Sequence, residues 1–130
     1  MLNRLIPWAL VGIGGMIGSL CRYGLTLFAR DWSISLPYGT LLSNVTGCLV
    51  IGGVMELAGA TEVLSPSARL FLATGFCGGF TTLSSLIYEL MQMIRDGEWA
   101  YASLYFGLTI AGAAIAFGVG ALAVKTLARL

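Results

Sequence analysis

The sequence predicts an all-α membrane protein with four transmembrane helices, and three observations support this fold class. Of its 130 residues, 58% are hydrophobic and only 10% are charged, whereas soluble domains usually have about 45–50% apolar and about 25% charged residues. The mean hydropathy of +0.90 points the same way. Four apolar runs, separated by short polar loops, are each long enough to cross about 30 Å of hydrocarbon at about 1.5 Å per residue.

The charged and reactive residues exclude several classes of function. The net charge of +1 provides no basic field for a nucleic acid. Histidine is absent from the sequence, which excludes His-based triads, His metal sites and His proton relays. No nucleophile is paired with a base, so an enzyme is not expected. The three cysteines stand alone in apolar stretches and are interpreted as small packing residues.

The apolar runs define a single four-span membrane domain. Charged or turn-forming residues close each run, and Ser65-Pro66 is typical of a helix start because proline favours the first helical turn. A β-barrel would require alternating segments of about ten residues, which the sequence lacks. The predicted spans are about 5–29, 40–60, 67–94 and 99–124.

The third run is too long for one straight span. Its 28 residues would form a helix of about 42 Å. The middle of the run, residues 75–82, contains paired glycines and paired threonines. We therefore predict that the third helix is broken near its middle, which membrane proteins tolerate only where protein or water satisfies the freed backbone groups.

Several polar side chains fall inside the spans, where they are costly. Arg22 either reaches the interface, pairs structurally or attracts anions, and Asn44 either joins helices or serves a site. A stripe on one face of the third span is either an interhelical hydrogen-bond seam or the wall of an aqueous path whose hydroxyl and amide groups can donate to an anion. The stripe consists of Thr82, Ser85, Glu89 and Gln92, and Tyr105 and Thr109 of the fourth span could form a second wall.

Small residues and the distribution of positive charge bear on assembly. The patterns Gly14-xxx-Gly18 and Gly75-xxx-Gly79 permit close contact between helices. Arginine and lysine are divided almost evenly between the two sides of the predicted bundle, so insertion in both orientations is expected. Four spans make a thin bundle, and we expect an oligomer.

Four motifs together resemble the Fluc (CrcB-like) family of small fluoride channels. They are Gly14-Gly15-Met16-Ile17-Gly18 with Arg22-Tyr23, Pro37-Tyr38-Gly39-Thr40-Leu41 with Asn44 and Gly47, the long third-span motif Gly75 to Leu86 with Glu89, and Tyr105 with Thr109. The match covers nearly the whole chain in the same order, and the third-span motif is the most specific part.

The resemblance implies a fluoride-selective channel that exports fluoride across a bacterial inner membrane as an antiparallel, dual-topology homodimer. It implies pores at the dimer interface, with Asn44 orienting pore groups, a polar track of Ser84, Ser85 and Thr109, and Arg22 near a vestibule. It also implies a structural sodium ion on the dimer axis, held by the backbone carbonyls of Gly78 and Thr81. The expected partners are thus fluoride, sodium, a second copy of the chain and the lipid bilayer.

One departure from the family pattern leaves alternatives open. The two pore positions that usually hold phenylalanine are Leu83 and Leu86, which lack the positive ring edges that face an anion. Phe80, one turn earlier, could offer such an edge. The chain could also be half of a heterodimeric channel, a non-transporting assembly subunit, or a small multidrug-type transporter, although its first span lacks the membrane-embedded glutamate of the last class.

Overall fold

The computed structural model describes residues 2–60 and 63–129, and these residues form an all-helical bundle. Within that part of the chain, four segments are long and apolar enough to cross a membrane, as predicted. They are Arg4–Phe28, Tyr38–Gly59, Pro66–Arg95 and Trp99–Leu127, each within about three residues of the predicted bounds. The helices are α1 (Leu2–Phe28), α2 (Tyr38–Ala60), α3 (residues 66–80), α4 (Leu83–Arg95) and α5 (Trp99–Leu127), with a single 3₁₀ turn at Arg30–Trp32.

Local signals in the sequence explain where the helices begin and end. The Ser65 hydroxyl accepts a hydrogen bond from the Ala68 amide at 3.1 Å, so Ser65-Pro66 starts α3 as predicted. Gly97, with φ of 78°, adopts the left-handed conformation that ends α4. The Glu98 amide then donates to the Met93 carbonyl at 2.8 Å, and α5 follows directly.

Glycines bring α1 and α3 into backbone contact. A Cβ atom on Gly18 would lie 2.1 Å from the Phe76 carbonyl oxygen, and one on Gly79 would lie 2.3 Å from the Gly15 carbonyl oxygen. Neither position has room for a side chain, so the two glycine patterns, which permit close contact between helices, lie against each other. A second glycine contact, through Gly52 and Gly120, joins α2 to α5 in the same way.

The third apolar segment changes its backbone conformation twice. Residues Leu70–Cys77 of α3 have π-helical hydrogen bonding, and Gly78 keeps helical angles of −62° and −36°. The departure from helix comes at Thr81 (φ −88°, ψ 154°) and Thr82 (φ −151°, ψ 118°), before α4 begins at Leu83. The glycines were expected to loosen the backbone here, but Gly78 and Gly79 are both helical. Gly79 packs on α1, whereas a Cβ on Gly78 would meet nothing within 4 Å.

Few side chains are fully buried within one copy of the chain. The small apolar cluster lies where α4 and α5 meet the start of α2, and many large apolar side chains on α1 and α5 point outward. An outward apolar surface suits a bilayer, in which lipid replaces the missing protein contacts. The buried cluster contains Leu36, Leu86, Leu90, Met93, Ala102 and Tyr105.

Candidate ion pathway

Asn44 of α2 holds the extended segment between α3 and α4 in place. Its Nδ2 donates to the Thr82 carbonyl at 3.1 Å, and its Oδ1 accepts from the Thr82 amide at 2.7 Å. This amide pairs with the backbone much as a neighbouring strand would, and it satisfies both polar groups of a residue that lies outside any helix. Asn44 thus orients the backbone of Thr82, and its role toward a pore stays a prediction.

The extended segment also diverts two amides away from helical partners. In an unbroken helix the Thr82 amide would bond the Gly78 carbonyl, and the Ser85 amide would bond the Thr81 carbonyl. The Thr82 amide goes to Asn44 instead, and the Ser85 amide goes to the Thr82 hydroxyl at 3.2 Å, which caps α4. Both carbonyls predicted to hold a cation are thus released from intrahelical hydrogen bonds.

Arg22 contacts the end of α3, just before this segment. Its Nε donates to the Gly79 carbonyl at 3.2 Å, and the Ser19 hydroxyl donates to the same oxygen at 3.4 Å. A cation at this end of α3 also complements the negative end of the helix dipole. Of the readings proposed for Arg22, the structure shows a structural pair, and the guanidinium lies close to the segment through which the pathway is predicted.

An open groove of about 210 Å³ brings together four of the nine predicted pathway residues, which are Asn44, Leu83, Leu86 and Thr109. Within it the two leucines differ, because the Leu83 side chain is 69% exposed whereas that of Leu86 is 2% exposed and belongs to the buried cluster. The groove is lined by Asn44, Cys48, Thr81, Thr82, Leu83, Leu86, Thr109, Ile110 and Ala113.

The remaining predicted residues lie around this groove. Ser84 is exposed and bonds the Thr82 hydroxyl at 3.1 Å, and half-buried Ser85 contacts the same hydroxyl. Phe80 stacks on Phe76 with ring centroids 5.5 Å apart. Tyr105 is fully buried one turn before Thr109, whose hydroxyl donates to the Tyr105 carbonyl at 2.8 Å.

A second polar layer lies one helical turn from the groove. The Thr40 hydroxyl donates to Oε1 of Glu89 at 2.7 Å, and the Tyr105 hydroxyl donates to Oε2 at 2.6 Å. Thr40 and Asn44, like Tyr105 and Thr109, are four residues apart and so share a helix face. The sequence carried this signal in the polar stripe through Glu89, but Thr40 and Glu89 were not among the predicted site residues.

Comparison with known proteins identifies the family. The model described as "CrcB-like protein, Camphor Resistance (CrcB)" matches residues 9–121. The chain belongs to the CrcB-like family. Three relatives bear the name "Fluoride-specific ion channel FluC", a channel name that agrees with the prediction that this chain is not an enzyme.

The resemblance to these relatives extends over nearly the full length. The chain is 42% identical to the protein of Chlorobium phaeobacteroides over 120 residues, covering 92% of the chain and 93% of the relative. It is 46% identical to that of Chlorobaculum tepidum over 116 residues (89% and 92%) and 45% identical to that of Roseiflexus sp. over 114 residues (84% and 92%). With four segments of spanning length, this CrcB-like chain is a multi-pass membrane protein.

Proposed function

We propose that the chain is a fluoride-selective ion channel that exports fluoride across a bacterial inner membrane. The observation that carries this proposal is the identity of 42–46%, over most of the chain, to relatives named as fluoride-specific ion channels. The groove next to the extended segment supports it, because hydroxyl and amide groups from α2, α5 and the extended segment converge there in an apolar bundle. Such groups can donate hydrogen bonds to a small anion.

The pores lie at the interface between two antiparallel copies of the chain. The groove is open along one side of the single subunit, and exposed Leu83 and Ser84 stand at its edge. A second copy would close the groove and supply the opposite wall. Asn44, Ser84, Ser85 and Thr109 then line the path with Leu83, Leu86, Phe80 and Tyr105, and Arg22 draws the anion toward it.

Thr81 and Thr82 interrupt the third span within the membrane. A sodium ion on the dimer axis binds the backbone carbonyl groups that this interruption leaves without hydrogen-bond donors. The residues present fit such an ion, because the carbonyls of Gly78 and Thr81 have lost their helical donors. A Cβ on Gly78 would meet nothing within 4 Å, so the subunit leaves this edge free for a second copy. Bound there, sodium would neutralise carbonyl dipoles that face one another, while this chain's own residues hold the segment extended.

Fluoride efflux from liposomes that contain the purified protein tests the channel function. The protein should dissipate a fluoride gradient far faster than a chloride gradient of equal size. Equal rates for the two anions, or no flux from a monodisperse preparation, would contradict the proposal.

Cysteine labelling tests the antiparallel arrangement. A Ser35→Cys variant, in a background with the three native cysteines replaced by serine, exposes one thiol in the loop between α1 and α2. An impermeant reagent should label roughly half of the molecules from one side in native vesicles, because dual insertion is expected where charge bias is thin. Labelling of all molecules from one side alone would reject the arrangement.

A further inference from the structure

We propose that the start of α3 binds one anionic phospholipid, whose phosphate group contacts Arg69 and whose two acyl chains lie in recesses on either side of Leu70. The inference does not depend on the proposed fluoride conduction. It concerns the lipid-facing surface of the subunit, at the end of the bundle where α1 and α3 begin and α2 ends.

The larger recess lies between the end of α2 and the start of α3. It has a volume of about 440 Å³ and reaches from Pro66 along α3 to Thr74, while Met55 and Ala58 of α2 contribute the other wall. Among the described residues that line this recess, Arg69 alone is charged. A mostly apolar recess with one cation near its outer end suits a ligand that has an anionic head and an apolar body.

A smaller recess of about 250 Å³ lies between α1 and the same part of α3. Pro7, Trp8 and Val11 of α1 line it together with Leu70, and all four side chains are apolar or aromatic. Because Leu70 lines both recesses, it forms a ridge between two apolar slots at the same end of the bundle. A glycerophospholipid carries two acyl chains side by side, so the two recesses together match one such molecule.

The charge of Arg69 indicates an anionic head group. Arg69 lies in the first turn of the spanning segment Pro66–Arg95, so its exposed side chain is at the depth of lipid phosphate groups. In the part of the chain that the structure describes, its guanidinium makes no hydrogen bond and no ion pair. A guanidinium binds phosphate oxygens through two parallel hydrogen bonds, and a cation near the membrane surface attracts anionic lipids. Trp8, 78% exposed beside the smaller recess, is a side chain that favours the same interfacial depth.

Native mass spectrometry of the purified protein in detergent tests the site. The protein is titrated with phosphatidylglycerol and, separately, with phosphatidylcholine of the same acyl chains, and the bound fraction gives an apparent affinity for each lipid. The wild type should bind phosphatidylglycerol about fivefold more tightly, which is the effect expected of one basic residue near the membrane surface on an anionic lipid. Arg69→Gln should abolish this preference, and Arg69→Lys, which keeps the charge, should retain most of it.

The matched control is Arg95→Gln. Arg95 is an exposed arginine at the opposite end of the same spanning segment, so the variant removes the same charge away from the two recesses. Its preference for phosphatidylglycerol should stay at the wild-type value. Absence of a preference in the wild type would overturn the inference, and so would equal losses in the two variants, which would attribute the preference to net charge alone.

The acyl-chain recesses are tested separately from the cation. Ala73→Trp places a large ring in the larger recess, whose wall Ala73 lines, and should weaken the binding of both lipids by about threefold or more. Unchanged binding in a folded Ala73→Trp protein would overturn the assignment of this recess. Glycerol 3-phosphate carries the phosphate without acyl chains and should not displace phosphatidylglycerol from the wild type. Displacement at comparable concentrations would indicate a site for free phosphate groups and overturn the lipid site, even if Ala73→Trp does not fold.

Discussion

The two halves of the third apolar segment are held in the bundle by different forces. Residues 66–80 lie against α1 through glycines so close that backbone touches backbone. Leu83–Arg95 instead present a largely exposed outer face, with Leu83 and Tyr88 pointing away from the subunit. This second half is held by the apolar cluster and by hydrogen bonds from Asn44, Thr40 and Tyr105.

The difference shows how one segment can combine rigidity with chemistry. Close packing of complementary surfaces needs no polar groups, and it leaves the first half little room to move relative to α1. Hydrogen bonds are directional and few, so they can orient the second half while leaving polar groups beside an open groove. The first half therefore serves as the scaffold, and the second half carries the residues that face the proposed ion path.

The largest effect is expected from one methyl group added to the first half of the segment. Gly18→Ala places a Cβ 2.1 Å from the Phe76 carbonyl oxygen, a backbone atom that cannot move alone. We expect overpacking to cost about 1–3 kcal/mol or more, with loss of monodisperse protein. Unfolding temperature and size-exclusion profile in detergent measure this effect.

The matched control for that variant is Gly12→Ala on the same helix. A Cβ at Gly12 would meet nothing within 4 Å, so its stability should be unchanged or slightly raised. Equal losses of stability in the two variants would mean that helix conformation, and not close contact with α3, explains the glycines.

Substitutions around the second half should lower fluoride flux before they destabilise the fold. Asn44→Asp keeps the acceptor for the Thr82 amide but turns a carboxylate oxygen toward the Thr82 carbonyl. Loss of a buried donor costs about 1–3 kcal/mol, and we expect fluoride flux to fall roughly tenfold or more while the assembled protein is retained.

Gln92→Glu provides the control for this charge change. Gln92 is an exposed amide on α4 that bonds only the Tyr88 hydroxyl among the hydrogen bonds of the described residues. Its variant should conduct at close to the wild-type rate. Normal flux in Asn44→Asp would remove Asn44 from the mechanism.

The two leucines of the second half should respond differently to enlargement. Leu86→Phe enlarges a side chain that is 2% exposed and should destabilise the protein by about 1–3 kcal/mol. Leu83→Phe adds its ring to an exposed position and should leave the stability of the subunit unchanged. If aromatic edges assist the anion, Leu83→Phe raises fluoride flux. Liposome flux and unfolding temperature are measured on each variant. Unchanged fluoride flux in Leu83→Phe with normal assembly would reject a role for aromatic edges.

The smallest effect is expected where the two halves join. Thr81→Ser keeps the hydroxyl that donates to the Cys77 carbonyl at 2.8 Å and loses only the methyl group that faces Gly47. We expect a cost of no more than about 1 kcal/mol, because one buried methyl group is removed. A large loss of stability or flux in this variant would show that the threonine methyl group, and not the backbone geometry, holds the segment.

Much of the fold could be predicted from the sequence because composition and spacing act locally. Run length predicts the four spanning helices, and the recurrence of glycine every fourth residue indicates faces that permit close contact between helices. The Ser65-Pro66 pair predicts the start of α3 for the same reason, since the cap involves a residue three positions away. The third span was expected to be broken near residues 75–82, which stays a prediction; Thr81 and Thr82 are the residues there with extended backbone angles.

Part of the candidate site could be predicted from the sequence. The rest could not, because it depends on contacts between residues that are far apart along the chain. The family resemblance named Asn44, Leu83, Leu86 and Thr109, which the groove brings together. It did not give the partners of Glu89, because Thr40 and Tyr105 lie 49 and 16 residues away along the chain. The glycine pair at 78–79 was expected to loosen the helix, whereas both residues are helical and contact with α1 accounts for Gly79.

The sequence alone is enough to predict a bilayer environment, the number of spanning helices and the residue types along one face of the third segment. Each of these depends only on local hydrophobicity and helical period. The tertiary structure alone decided which of two similar leucines is buried. Leu83 and Leu86 are three residues apart and face directions only about 60° apart on a helix, yet one is 69% and the other 2% exposed. The rotation of α4 decides this, and it is set by Asn44 and by the layer at Glu89, whose partners lie on other helices.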